Sequence, residues 1–322
     1  MNSLPGELLL CVADHMCYVD ILSLRRTCSY YRDFLPCPNF RKLLVEKLQP
    51  YSSDAEKIVQ EIDKSGAVIA GSFILHVLYD SVWQPNDIDI FEGSRSWGEY
   101  KYQDMPFCSQ MLTFTNMGYV DCHRYEYLPS FLTRMYKSKH EKELLFNHIP
   151  IGYVSPMRFI YYSFDMDLVK VAYHKGKLYV KNWNKLIQRK DLIVPASLAL
   201  LGKVTSPGER WYKEVALEKM EYRKNKYQER GFSITETDKK EELLDEAYEM
   251  FTCVREGRFS DHRKNLVYYL KSFKFNYYLN PEEPDERMIE EEEQEEDKEG
   301  GFLAFLLENG LSLNEQATPH LE

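Results

Sequence analysis

The chain has 322 residues, of which 44% are hydrophobic and 14% aromatic, enough to build the core of more than one domain. Its formal net charge of −10 is concentrated in one place, because residues 282–299 hold twelve acids against two basic residues. The rest of the chain sums to about zero, which excludes a global basic field for nonspecific nucleic-acid binding.

Cysteine usage and hydropathy predict the cellular compartment in which the protein works. The seven cysteines form no Cys-x-x-Cys pair, and the N-terminus lacks a charged-then-apolar signal. No apolar run approaches the roughly 20 residues that a membrane-spanning helix needs. We therefore expect a cytoplasmic protein of a reducing, intracellular environment, with buried thiols and no membrane partner.

The first forty residues predict short helices. Asn2 or Ser3 caps the first helix, and Pro5 suits its first turn. Apolar residues then recur on one face, and Asp20 is predicted to cap a second short helix. A small helical hairpin cannot bury such a face within itself. It needs either a partner or the following domain, as an ordinary helical cap.

This order of residues resembles an F-box over about residues 2–45. The residues that carry the resemblance are Leu4-Pro5-x-Glu7-Leu8-Leu9, Val12, Asp20 to Arg26, Cys28, Tyr31-Arg32 and Phe34-Leu35. The resemblance implies docking to a Skp-family adaptor, hence to a cullin–RING ubiquitin ligase, with a protein target that the sequence does not name. The partner-binding residues that it implies are Leu4, Pro5, Leu8, Val12, Ile21, Leu22 and Leu24.

After two further helices, predicted over 40–48 and 54–64, residues 68–91 organise the rest of the chain. A short apolar run leads into Gly71-Ser72, an apolar helix follows, and after a Gln-Pro-Asn break a strand begins at Asp87. On that strand Asp87 and Asp89 would share one face. Helix N-termini can receive phosphate oxygens, and paired carboxylates can hold Mg²⁺. The stretch therefore predicts a phosphate-binding turn and metal-binding carboxylates, which metal-assisted nucleotidyl transfer requires.

A third acid is needed on a neighbouring strand, and residues 164–180 supply the candidates. The apolar and basic alternation there predicts a β-hairpin, with a strand over 164–173 and a loop that carries Gly176. Asp165 and Asp167 would share one face of that strand. The choice between these two acids stays open from the sequence.

Together these motifs resemble the nucleotidyltransferase superfamily typified by DNA polymerase β, over roughly residues 55–235. More narrowly, they resemble nucleotidyltransferase-like proteins of large DNA viruses and some fungi. The resemblance implies a nucleotide-binding turn, catalytic acids and Mg²⁺ ligands, with Asp167 favoured over Asp165 as the third ligand. The residues concerned are Gly71 and Ser72 for the nucleotide, and Asp87, Asp89, Asp165 and Asp167 for catalysis.

Two functions follow, and both stay open. One is an adaptor in which the F-box recruits the ligase while the nucleotidyltransferase-like domain holds a target or a nucleotide. The other is an active Mg²⁺-dependent nucleotidyltransferase. The adaptor is favoured, because the F-box motif spans more positions than any single nucleotidyltransferase-like motif, and because a fold can be retained after its catalytic activity is lost.

The expected fold class is α+β: a helical F-box, then a small mixed sheet packed by helices, then a helical C-terminal region. Strands are expected over 118–123 and 148–154, and helices from 155, over 191–202 and over a basic stretch from 209 to 230. The predicted divisions are 1–50 (F-box), 51–235 (nucleotidyltransferase-like), 236–280 (helical cover), 281–300 (disordered acidic linker) and 301–322 (C-terminal helix and tail).

Overall fold

A computed structural model describes residues 5–81, 83–94, 107, 114, 117–120, 134–138, 144–152, 156–195 and 209–245. Most of the predicted helical cover, the acidic linker over 281–300 and the C-terminal helix lie outside these residues. Leu4, one of the expected partner-binding residues, lies outside them as well. None of the helices in the described part of the chain is long and apolar enough to cross a membrane.

Five helices open the described part of the chain. They are α1 (Gly6–Ala13), α2 (Tyr18–Arg25), α3 (Ser29–Phe34), α4 (Phe40–Leu48) and α5 (Ala55–Ser65). Asn39 caps α4 through its side chain, which accepts a hydrogen bond from the Lys42 backbone at 3.1 Å. Asp20 was expected to cap α2 but lies inside its first turn, because the helix begins earlier, after Cys17. There Asp20 accepts a hydrogen bond from the Cys17 thiol at 3.1 Å.

A mixed sheet forms the centre, as expected. Its seven strands within the described residues are β1 (Val68–Ala70), β2 (Asp87–Ser94), β3 (Met117–Val120), β4 (Arg134–Ser138), β5 (Leu145–Gly152), β6 (Val171–His174) and β7 (Lys177–Val180). The order across the sheet is β3-β4-β5-β2-β1-β6-β7. β2 and β5 are parallel, and the other neighbouring pairs are antiparallel. β4 was not predicted.

Four more helices and a second, parallel strand pair complete the described part. The helices are α6 (Ser72–Tyr79), α7 (Pro156–Ser163), α8 (Trp183–Gln188) and α9 (Glu209–Glu229), and the strands are β8 (Lys190–Ile193) and β9 (Ser233–Glu236). The core lies between the sheet and the helices, where Ile88 and Ile90 of β2 are fully buried with Phe73 of α6. Burial of this apolar face is the main term that holds the elements together.

Two predicted elements are wrong. The strand expected over 164–173 begins only at Val171, because Asp167–Val169 forms a 3-10 helix. The Leu168 N–H in that turn donates to the carboxylate of Asp191 at 2.5 Å instead of to a strand. The helix expected over 191–202 starts as strand β8, which pairs with β9 from more than forty positions later in the chain. The predicted hairpin around Gly176 is confirmed, with Val171–His174 paired to Lys177–Val180.

Candidate functional site

Gly71 turns the chain from β1 into α6. Its φ of 81° lies in a region that only glycine occupies without strain. The Gly71 N–H donates to the Val171 carbonyl at 3.1 Å, so this amide is already bonded within the sheet. The Leu75 N–H already donates to the Gly71 carbonyl at 3.2 Å, so the amides of the first turn of α6 that a phosphate could reach are those of Ser72, Phe73 and Ile74.

Asp87 and Asp89 project from β2 on the face opposite the buried Ile88. A Cβ atom at Gly71 would stand 4.0 Å from the Asp89 Oδ2 atom. The turn and the carboxylate are therefore neighbours, and it is the φ of Gly71, not the space around it, that requires glycine. The structure brings together the predicted turn and the predicted acid pair, although sixteen positions separate them in the sequence.

Asn147 completes this cluster, and sequence reasoning missed it. It lies on β5 directly opposite Asp89 in the parallel pairing with β2. Its Nδ2 group donates to Asp89 Oδ1 at 2.9 Å and to Asp87 Oδ2 at 3.3 Å. The available signal was a polar residue inside an otherwise apolar run, which marks a buried polar group that needs partners.

Asp89 has a shifted pKa. Burial, then the nearby charge of Asp87, raises the pKa of Asp89 to about 7. The hydrogen bond from Asn147 acts in the opposite direction, since it favours the charged carboxylate. On α9, burial lowers the pKa of Lys226, while Asp87 and Asp89 oppose that shift. The basic face of α9 is thus directed toward the acid pair.

Asp165, one candidate for the third acid, is buried and forms an ion pair with Arg223 of α9. The proximity of Asp165 raises the pKa of Arg223. The Asp165 backbone carbonyl accepts a hydrogen bond from Val194 at 2.9 Å. The charge of this carboxylate is already compensated by a guanidinium of the same chain.

Asp167, the favoured third ligand, lies in a different environment. Lys181 and Lys185 each reach its carboxylate at 2.8 Å, and Lys170 reaches it at 3.3 Å. Burial raises the pKa of Asp167, but the three ammonium groups outweigh burial and lower it overall. Burial lowers the pKa of Lys170 to about 8, and Lys181 adds to that shift. Asp165 and Asp167 therefore do not share a face, because their pairing partners come from different elements.

These contacts test the metal set that the sequence predicts. Among the described residues, no group of three or more His, Cys, Asp or Glu side chains is placed to hold a metal ion. Asp87 and Asp89 are together, but Asp167 is held by lysines, and an amide stands on the neighbouring strand in place of a carboxylate. The residues present do not fit a three-carboxylate, two-metal centre.

A polar cleft of about 440 Å³ opens between the segment before β2 and the last turns of α9. It is lined by Trp83, Gln84, Asn86, Tyr222, Asn225, Lys226, Glu229 and Arg230. The guanidinium of Arg230 lies 4.1 Å from the centre of the Trp83 ring. Its Nη1 atom is buried without a hydrogen-bond partner in the described structure. A group with hydrogen-bond acceptors would satisfy it.

The N-terminal helices form a second candidate surface. Leu8 and Val12, one helical turn apart on α1, are 53% and 48% exposed, whereas Leu9 is buried. On α3, Tyr30 and Phe34 are exposed and stack with their ring centres 5.8 Å apart. Large apolar side chains at such exposure mark an interaction surface when they lie near one another.

The expected partner-binding residues divide between this surface and the core. Pro5, Leu8 and Val12 are exposed, and Ile21 and Leu24 are partly buried. The structure corrects the expectation that Leu22 binds a partner, because Leu22 is 2% exposed and belongs to the main core cluster. The reason is the docking of α2 on the body of the protein, which directs Leu22 inward.

No protein-family model matches the sequence, and no curated protein matches it. The fold is similar to the Thermotoga maritima CCA-adding enzyme complexed with tRNA-CCA and to a CCA-adding enzyme in complex with CTP. Both are 18% identical over 66% of this chain, with TM-scores of 0.35 and 0.36. The matches cover 46% and 45% of those chains, so this chain spans under half of their length.

Proposed function

We propose that the protein is an F-box substrate receptor with a nucleotidyltransferase-like body, which consists of the sheet β1–β7 and the helices that pack on it. The helices α1 to α3 would dock a Skp-family adaptor and so recruit a cullin–RING ubiquitin ligase in the cytoplasm. The body would hold the protein target or a nucleotide. The observation that supports this proposal is the exposed apolar surface of α1, carried by Leu8 and Val12.

The energetic argument is one of unused apolar area. Removing a large apolar side chain from water stabilises a complex by roughly 1.5–3 kcal/mol. Leu8 and Val12 are more than two-fifths exposed in the protein alone, so a docking partner would gain most of that burial. Pro5 lies one turn before Leu8 and extends the same face of α1. Such a row of anchors on one helix fits recognition by a grooved partner.

The test is co-purification of the full chain with a Skp-family adaptor. Leu8→Ala combined with Val12→Ala should abolish co-purification, since truncating central apolar anchors typically costs about 2 kcal/mol or more each. Leu192→Ala is the matched control, because Leu192 is an exposed leucine on β8, away from the N-terminal helices. Adaptor binding that survives in a folded double variant would remove the F-box from the proposal.

The nucleotidyltransferase-like assignment of the body is supported by its own geometry. A Gly-Ser turn leads from a central strand into a helix, and an acid pair on the adjacent strand lies beside that turn. Equilibrium dialysis with a labelled nucleotide tests whether the body binds this ligand. Ser72→Tyr fills the start of α6 and should remove binding, whereas Ser233→Tyr at an exposed position of β9 should not.

A second candidate is transfer of a nucleotidyl group to a protein or RNA hydroxyl. The nearness of Gly71 to Asp89 favours this candidate. Its test is transfer of labelled nucleotide across acceptors, with Mg²⁺ or Mn²⁺ supplied. Asp89→Asn should then remove turnover while the fold survives, and absence of transfer by the native chain would leave the receptor as the function.

A further inference from the structure

We infer that Asn147 takes the place of the third carboxylate of the acid pair, so that this site binds no more than one divalent cation. Its Nδ2 group occupies the position between the two carboxylates where a cation would otherwise balance their charge. The inference rests on the nucleotidyltransferase-like part of the proposed function. It does not depend on adaptor docking.

Strand register supports the placement. β5 is the parallel neighbour of β2, and Asn147 pairs with Asp89 residue for residue. Side chains that are directly opposite in a sheet project on the same face, so Asn147 stands on the face of the acid pair. No other acid of the described residues takes that position, since Asp165 and Asp167 are bonded elsewhere.

Hydrogen bonding shows what the amide does. One Nδ2 group reaches both carboxylates, at 2.9 Å and 3.3 Å, and an amide nitrogen carries two N–H donors for this purpose. Two like charges in a buried site repel strongly unless something positive stands between them. The partial positive charge of the amide supplies part of that compensation without an ion.

The other end of the amide provides independent support. Asn147 is 5% exposed, and its Oδ1 atom is buried without a hydrogen-bond partner in the described structure. Leaving that oxygen unsatisfied costs free energy, so the donors are directed at the acids at the expense of the acceptor. Rotation of the amide by half a turn would offer Oδ1 to a cation as a neutral ligand. That arrangement can serve one ion but lacks the charge to bridge two.

The positive charge on α9 points the same way. Arg223 forms an ion pair with Asp165, and the charges of Lys226 and Arg223 oppose the burial that raises the pKa of Asp89. These fixed cations already offset the acids of the site. A second divalent ion would therefore meet less net negative charge than three carboxylates provide.

The experiment is a titration of the full chain with Mn²⁺, followed by electron paramagnetic resonance and calorimetry. The native chain should bind at most one ion that Asp89→Asn does not bind; this difference leaves out any Mn²⁺ collected by the acidic run over residues 282–299. Asn147→Asp should bind a second ion, or bind the first at least about tenfold more tightly, because the affinity of oxygen sites for hard cations follows ligand charge. Asn184→Asp makes the same charge change on an exposed residue of α8 and should bind Mn²⁺ as the native chain does.

Two results would overturn the inference. One is binding by the native chain of two Mn²⁺ ions that Asp89→Asn does not bind, which decides the matter even when Asn147→Asp fails to fold. The other is a folded Asn147→Asp that binds Mn²⁺ with the native affinity and stoichiometry. Loss of nucleotide binding in the dialysis assay would count against the proposed function but not against this result, since the titration contains no nucleotide.

Discussion

The helix α1 and the β2–β5 pair differ in what they leave open to a binding partner. On α1 the groups are apolar: Leu8 and Val12 are 53% and 48% exposed within the part of the chain that the structure describes. On β2 and β5 the groups are charged, and the chain satisfies them internally, through Asn147 for Asp87 and Asp89. A surface with open apolar area gains free energy on binding a partner, whereas a compensated charge site gains little from an added ion. The difference directs a search for partners to α1.

The largest expected loss of stability from a single substitution separates the inner and outer faces of the N-terminal helices. Leu22→Ala should lower the free energy of unfolding by about 3 kcal/mol, because the side chain is 2% exposed and leaves a cavity in the core. Leu8→Ala should change the free energy of unfolding by less than about 0.5 kcal/mol, because more than half of the Leu8 side chain is exposed to solvent. Urea denaturation of both variants measures the contrast. Equal losses would mean that α1 is a structural cap.

The second effect concerns charge that is held inside the body. Arg223→Met should lower the free energy of unfolding by about 2 kcal/mol, since it leaves the buried Asp165 without compensation. The loss is smaller than for a fully enclosed pair, because Arg223 is itself 37% exposed and water screens part of its charge.

Two further variants test the cause of that loss. Asp165→Asn added to Arg223→Met should recover part of it, as the uncompensated charge is then gone. Lys224→Met, one position along α9, should leave stability nearly unchanged, because its acid partners Glu221 and Glu236 are 53% and 31% exposed and stay solvated without it. A loss in the Lys224 variant equal to that in the Arg223 variant would contradict the role of burial.

The sequence predicted the elements that depend on local pattern. The Gly71 turn, the β2 alternation and the Gly176 hairpin each follow from neighbouring residues, and the structure has all three. Gly71 and Asp89 were expected in one site and lie beside one another.

It could not predict features that depend on distant partners. The local alternation at 164–173 indicated a strand, but Asp191 captures the Leu168 amide and bends the chain into a 3-10 turn. Asn147 lies almost sixty positions after Asp89, and only the parallel pairing of β2 with β5 brings them together. Leu22 looked like an interface residue because the sequence does not reveal which face of α2 meets the core.

The acid pair also predicts a pH dependence. The pKa of Asp89 is raised from 3.8 to about 7 in the folded protein, so between those values the folded state holds a proton that the unfolded state has lost. Stability should therefore fall as pH rises through that window, with a slope of about 1 kcal/mol per pH unit from this group. The difference between the native chain and Asp89→Asn, measured by urea denaturation from pH 4 to 8, isolates it.

A matched variant gives the opposite sign. The pKa of Asp167 is lowered in the folded protein, so its contribution is present above its unfolded pKa and is lost as pH falls further. The difference between the native chain and Asp167→Asn should therefore be constant above about pH 4 and shrink as pH falls below it. A pH-independent difference for Asp89→Asn would show that its carboxyl is not protonated in the folded state.

The smallest expected effect lies at Gly6, where α1 meets α3. A Cβ atom there would stand 2.5 Å from Cζ of Phe34, so in Gly6→Ala the ring must move. Because Phe34 is partly exposed, the ring can turn outward, and stability should change by less than about 0.5 kcal/mol. Adaptor binding should weaken several-fold, since the aromatic side of the surface is rearranged. Adding Phe34→Ala to Gly6→Ala should leave binding no weaker than Phe34→Ala alone. If Gly6→Ala instead destabilised the fold as much as Leu22→Ala, α1 and α3 would be part of the core, and the contrast with the acid pair would disappear.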